Sequence, residues 1–156
     1  MQGVFAMASG WTNKGKMRLL ETLRGVSLPA NFNIALITST PDADTDTMGD
    51  ESEITAGNGY VTGGISLAKT TGVWDVISES DASDYGEIQL ADVVWTASGG
   101  NIPSGGSGAR FAVVTDANST VSLREIWFYL DLVSNRTVSD TQTLTLTNCA
   151  VRLSES

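Results

Sequence analysis

Short apolar runs, separated by clusters of Gly, Ser, Thr, Asn and Asp, set the pattern of this chain. Residues 32–38 (FNIALIT) form one run, which stops short of Pro41, a residue that cannot continue a ladder from a central strand. Residues 60–68 form a second, with Gly63-Gly64 inside it predicting a kink or bulge. Residues 73–77 and 87–95 follow, then the compact run 111–115 (FAVVT). Residues 124–133 (REIWFYLDLV) are apolar at nearly every position, which fits a strand covered on both faces or a helix. The β-branched and aromatic content of Ile126-Trp127-Phe128-Tyr129 favours the strand. Residues 143–153 open with strict alternation, Leu144 and Leu146 between Thr143, Thr145 and Thr147, the signature of a half-buried antiparallel strand. Seven or eight strands with turns between them predict an all-β, antiparallel β-sandwich, jelly-roll-like, with one short N-terminal helix.

That helix falls in residues 14–24. Met17, Leu20 and Leu23 share one side of it, and Leu19 and Leu23 are one turn apart. Thr12 or Asn13 is the expected cap, and Gly25 the expected stop. Gly15 weakens the first turn by roughly 1 kcal/mol relative to alanine. Lys14, Lys16, Arg18 and Arg24 stand against a single Glu21, so the helix presents either a solvated basic face or a face for an acidic partner. Before it, residues 1–12 read as an N-terminal arm or as a first strand, and residues 13–156 as a single sandwich domain. Val4, Phe5, Met7 and Trp11 are the candidate interface residues of that segment, with a neighbouring subunit as the expected cover. Four large apolar side chains are costly to leave in water, at roughly 1.5–3 kcal/mol each.

Composition narrows the chemistry. The 156 residues contain no histidine and one cysteine, Cys149. The commonest general base, the commonest metal ligand and the histidine-dependent nucleophile systems are therefore missing, as are intrachain disulfides and cysteine-rich zinc sites. A net charge of −9 disfavours nucleic acid and anionic membrane as partners, because phosphate contact needs a basic patch. The apolar runs fall short of the ~20 residues of a membrane helix. No cofactor is expected, with calcium as the one candidate exception. Asp42, Asp44, Asp46 and Glu53 hold the first, third, fifth and twelfth positions of a calcium loop, but Thr47 stands where that loop needs glycine. A solvated acidic loop is the leading reading. Asp75, Asp81, Asp84 and Glu87 near Trp74 and Tyr85 supply the residue types of a sugar site, or of a glycosidase's paired acids, without a spacing that places any two across a cleft. No catalytic residue is assigned.

Several phrases taken in order carry a resemblance: Leu23-Arg24-Gly25, then Asn33 to Ser39 (NIALITS) with Pro41 and an acidic loop, then Glu53, Gly59-Tyr60, Trp95 to Gly100 (WTASGG) and Ala109 to Asp116 (ARFAVVTD). Together they resemble small bacteriophage virion structural proteins of the head-decoration, minor tail or tail-fibre kind. The resemblance spans most of the chain after Trp11. It implies a non-enzymatic component of the virion, assembled in the host cytoplasm and bound to other virion proteins, major capsid or tail subunits, as a homo-oligomer. An external capsid decoration or cement protein is the leading expectation. A minor tail or fibre-associated module that binds a host-surface glycan is the alternative.

Overall fold

The computed structural model describes the backbone of residues 2–5 and the whole of residues 9–154. Its strands are β1 (Gln2–Phe5), β2 (Ser9–Trp11), β3 (Asn31–Ile37), β4 (Ile65–Ala68), β5 (Trp74–Ser80) and β6 (Tyr85–Leu90). They continue with β7 (Val93–Thr96), β8 (Ala109–Asp116), β9 (Ile126–Arg136), β10 (Thr143–Thr147) and β11 (Cys149–Ser154). A single α-helix, α1 (Asn13–Thr22), follows β2. The chain is a mainly β protein with antiparallel sheets arranged as a sandwich, as its pattern predicts.

One layer is a five-stranded sheet in the order β2-β9-β8-β3-β4. Its centre is buried on both faces, which is why β3 and β8 read as continuous apolar runs. Inward, Phe32, Ile34, Leu36, Ala112 and Val114 meet the second layer. Outward, Ala35, Ile37, Phe111, Val113 and Ile126 pack beneath Met48, which the acidic loop carries down onto the sheet. The undecided run before Val133 is the strand β9, whose register shifts against β8 between Val114 and Thr115. Trp127 falls at that shift, and both it and Phe128 join the inner core.

The second layer consists of two three-stranded sheets, β1-β10-β7 and β11-β6-β5. They continue one antiparallel ladder. Leu146 stands opposite Val93, and three residues further on Cys149 stands opposite Leu90. The register is thus kept through Asn148 (φ 53°), where the layer bends. The runs 87–95 and 143–153, each expected as one strand, are both divided at this bend. The run expected from residue 60 is strand only from Ile65, because Gly63 and Gly64 take φ values of 84° and 73°. Gly64 lies so close to Ile34 that a Cβ would sit 1.8 Å from its carbonyl oxygen. The neighbours β3–β4, β5–β6 and β8–β9 each stay within one sheet.

Gln2–Phe5 lies parallel to β10 as an edge strand of this same domain. Ser9–Trp11 pairs with β9, and the Trp11 ring stacks 5.2 Å from that of Phe128. Of the four candidate interface residues, Trp11 is therefore half-buried in its own chain, Val4 and Phe5 are placed by their backbone in β1, and Met7 lies outside the described residues. The Gly/Ser-rich stretch after Thr96 is tied to its own domain. Ile102 is buried and exchanges both backbone hydrogen bonds with Val138, and Gly99 N donates to Asp140 Oδ1 at 2.8 Å.

Candidate interaction surface

Helix α1 is held by its first turn. Thr12 caps it, its hydroxyl accepting from Gly15 N at 2.9 Å and donating to Ile126 O at 2.5 Å. Gly15 lies flat on β9, where a Cβ would be 2.1 Å from Trp127 O. This glycine, unfavourable for a helix in isolation, is what lets α1 approach the sheet. Arg18 completes the anchor with two hydrogen bonds of 2.6 Å to Glu125 and one of 2.7 Å to Glu21. The side that packs is thus Thr12, Gly15 and Leu19. Met17, Leu20 and Leu23 share a side as expected, and that side is turned to solvent, with Leu20 64% and Leu23 84% exposed.

The sheet β11-β6-β5 has an equally open surface. Its root is covered: Trp74 lies 5.1 Å from Phe32, and Leu90, Cys149 and Val151 are buried. Further out the five-stranded sheet no longer covers it. Ile77 stands opposite Ile88, itself opposite Val151, so the apolar stripe of the inner face runs on to an Ile77 that is 78% exposed. Leu153 continues the stripe, half exposed. At the tip lie Glu79, Asp81 and Asp84, all exposed and none in an ion pair among the described residues. This outer half is termed the blade.

Between α1 and the blade runs a groove of about 300 Å³, with Leu19 and Leu28 on one wall, Ile77 and Ile88 on the other, and Trp11, Trp74 and Trp127 at its base. Its polar contributors are Lys69, Thr70 and Thr71. The indole N–H groups of Trp11, Trp74 and Trp127 are buried with no hydrogen-bond partner among the described residues, and the surface that the groove presents comes chiefly from their rings and from aliphatic side chains.

The sequence candidates for calcium are not brought together. Asp42 Oδ1 accepts from the backbone of Asp44 and Thr45 at 2.8 and 3.1 Å, and Asp44 Oδ1 accepts from Asn13 Nδ2 at 2.8 Å. Asp46 lies 3.8 Å from Lys14, and Glu53 accepts from the Tyr60 hydroxyl at 2.7 Å and Gly63 N at 2.6 Å. Each carboxylate pins a different piece of the loop that covers the sheet, and no metal-holding group of three occurs among the described residues. Of the residues considered for a sugar, Asp81, Asp84 and Tyr85 share a hollow at the blade tip, and Trp74 is apart from them. Trp74 pairs with Leu90 and Tyr85 with Ser80, at opposite ends of the β5–β6 ladder, roughly 17 Å apart at ~3.4 Å per residue. Tyr85 instead carries the Arg152 guanidinium on its ring, 4.2 Å from the centroid, and Arg152 binds Glu87 at 2.6 Å.

Cys149 is buried, and burial pushes its thiol up to about 12, far from a reactive thiolate. Arg18 holds Glu125 below the ordinary glutamate range through charge-assisted hydrogen bonds, while burial raises Asp116. The groove was hidden from sequence reading because its walls come from six separate segments. The outward side of α1 left a local trace, apolar residues interleaved with cations at helical spacing. The chain matches no protein-family model, no curated protein and no solved structure.

Proposed function

We propose that this chain is a non-catalytic structural protein of a bacteriophage virion, an external decoration or cement component of the capsid that makes repeated contacts with neighbouring subunits. The observation that carries the reading is the pairing of a well-covered sandwich with an uncovered blade. β5 is a sheet edge bearing Val76 and an Ile77 that is 78% exposed, a combination that free-standing β-proteins avoid because it invites association. Assembly is the setting in which such a surface is useful. The resemblance of the ordered sequence phrases to phage virion proteins supplies the particle. Some of the groups that could do chemistry are engaged elsewhere: the thiol is buried, and Glu125, Asp131 and Glu87 are bound to arginines.

Counting copies in purified particles by quantitative gel tests the reading. Many copies per particle, removable without loss of the shell, are the expected result, and absence from the particle overturns it. A tail-associated module that binds a host glycan is the second reading. It is favoured by the open hollow of about 550 Å³ at the blade tip, where Tyr85 lies among Glu79, Asp81 and Asp84. A few copies per particle, with binding on a glycan array that Tyr85→Ala abolishes, would select it. A blank array with the intact protein would end it.

A further inference from the structure

We infer that two copies of this chain associate about a two-fold axis, the outward side of α1 in each docking on the blade of the other and closing both grooves. The inference rests on the assembly reading above and names the partner.

Each patch lacks what the other has. On α1, steps of 100° per residue bring Lys16, Met17 and Leu20 within about 100° of one another, and the turn that ends the helix adds Leu23, its C-cap, and Arg24. All five are exposed, and neither Lys16 nor Arg24 is in an ion pair among the described residues. The centre of this patch is leucine and its rim is cationic. On the blade the centre is Ile77 and Leu153, and the rim is Glu79, which shares the face of Ile77, with Asp81 and Asp84 in the turn beyond. On this face its charge is of the other sign; Arg152, between Val151 and Leu153, falls on the opposite face and is paired with Glu87. In a chain of net charge −9, the free cations beside exposed leucines on α1 form the side to which an acidic, apolar surface is attracted.

The placement of the patches selects the symmetry. Both border one groove, since Leu19 and Leu28 form one wall and Ile77 and Ile88 the other. A single two-fold axis therefore makes both contacts at once, the self-complementary arrangement in which each patch meets the other's counterpart. The obvious rival is edge-to-edge pairing of β5 with β5 of the second copy. It fails on charge: centred on Ile77 it sets Asp75 against Glu79, with no cation on either strand.

Charge reversal on the full-length chain tests this, with mass read by sedimentation equilibrium over ~1–100 μM. The intact protein should be a dimer. K16E/R24E should be monomeric, since acid then faces acid, and so should E79K/D81K, where base faces base. A loss of ~30-fold or more in affinity is expected for each. An equimolar mixture of the two variants should regain the dimer, because one contact is then native and the other carries both reversals. An intact protein that is monomeric throughout, variants that dimerise as before, or a mixture that stays monomeric would each overturn the inference. So would an intact protein that grows beyond two copies, the mark of a head-to-tail contact. If a reversed variant loses its circular dichroism spectrum, Leu23→Asp, at a side chain 84% exposed, replaces it and must also give a monomer. The particle count separates this from the broader reading. Many copies per particle with a monomer in solution defeat the dimer alone, and a dimer that is absent from particles defeats the virion reading alone.

Discussion

The root and the tip of one antiparallel ladder live in different solvents. Between Thr143 and Cys149 the ladder of β10 and β11 against β7 and β6 buries Leu144, Leu146, Trp95 and Leu90 beneath the five-stranded sheet. From Ile77 and Leu153 outward, the same pleat and the same inward-facing stripe meet water. Backbone pairing is equivalent in both halves, so hydrogen bonding does not distinguish them. The difference is cover. A sheet gains stability from the apolar area that the facing layer removes from water, at about 25 cal/mol per Å². The outer half receives much less of this within its own chain, and Ile77 almost none.

Matched glycines give the sharpest contrast. At Gly64 a Cβ meets Ile34 O at 1.8 Å with φ at 73°, so Gly64→Ala must displace β3 or β4. It should be the most damaging single change, well beyond the ~1 kcal/mol typical of point substitutions, and the expected readout is loss of the cooperative urea transition. Gly86 on the blade has nothing within 4 Å of its Cβ position, and Gly86→Ala should leave the midpoint within experimental scatter or raise it. A midpoint lowered by Gly86→Ala as far as by Gly64→Ala would erase the distinction between the covered sandwich and the blade. Leucine and isoleucine truncations come next. Leu36→Ala removes a fully buried side chain and should cost about 2–5 kcal/mol. Ile77→Ala, at 78% exposure, should cost less than about 0.5 kcal/mol when measured on the monomer at low concentration.

A smaller effect lies in the loop before β4. Leu36 N donates to the Tyr60 hydroxyl at 2.9 Å, and that hydroxyl donates to Glu53 at 2.7 Å. Tyr60→Phe keeps the buried ring and strands the Leu36 N–H, while Glu53 Oε1 keeps its second donor, Gly63 N. The expected loss is about 1–3 kcal/mol in urea denaturation, with no change in mass by sedimentation, because the ring is buried in the core and does not line the groove.

Legibility followed cover as well. The β3 and β8 runs were readable because two covered faces leave no polar alternation to confuse. The half-covered β10 was readable because Thr and Leu alternate without exception. Where glycine or asparagine bends the chain, at Gly63-Gly64 and Asn148, periodicity runs through the break and the strands were drawn too long. Turn residues 81–84 hid a continuous β5–β6 hairpin, since an exposed strand such as WDVISES has too few apolar residues to show a period beyond Ile77. The acidic loop illustrates a different limit. Its spacing suggested a cation, yet Met48, an unremarkable residue in the string, is what fixes it to the sheet while its carboxylates cap backbone N–H groups. The groove could not be read, since nothing local ties Trp11 to Ile88.

The smallest expected effect is electrostatic, and it too separates the covered sandwich from the blade. Arg18 holds Glu125 below its ordinary value, so this pair contributes stability that is fully present above the unfolded glutamate value of about 4.3. The contribution is lost as pH falls through the lower folded value. Both side chains are partly exposed, which limits it to about 1 kcal/mol. Asp116 acts in the opposite sense. Burial raises it, so protonation stabilises the fold and its ionised form weakens the fold once pH exceeds the folded value. Melting temperatures between pH 6 and pH 2.5 should therefore show Glu125→Gln below the intact protein at pH 6, with the two curves converging toward pH 2.5. Asp116→Asn should show the reverse, with its advantage over the intact protein at pH 6 shrinking as the pH falls. On the blade Glu87 is bound by a single Arg152 whose side chain is more than half exposed, whereas Arg18 holds Glu125 with two hydrogen bonds, so Glu87→Gln should move the melting curve less than Glu125→Gln at pH 6. Equal displacement by the two glutamate variants would mean that the blade bears on folding as the covered sandwich does, and the contrast between cover and exposure would no longer explain the molecule.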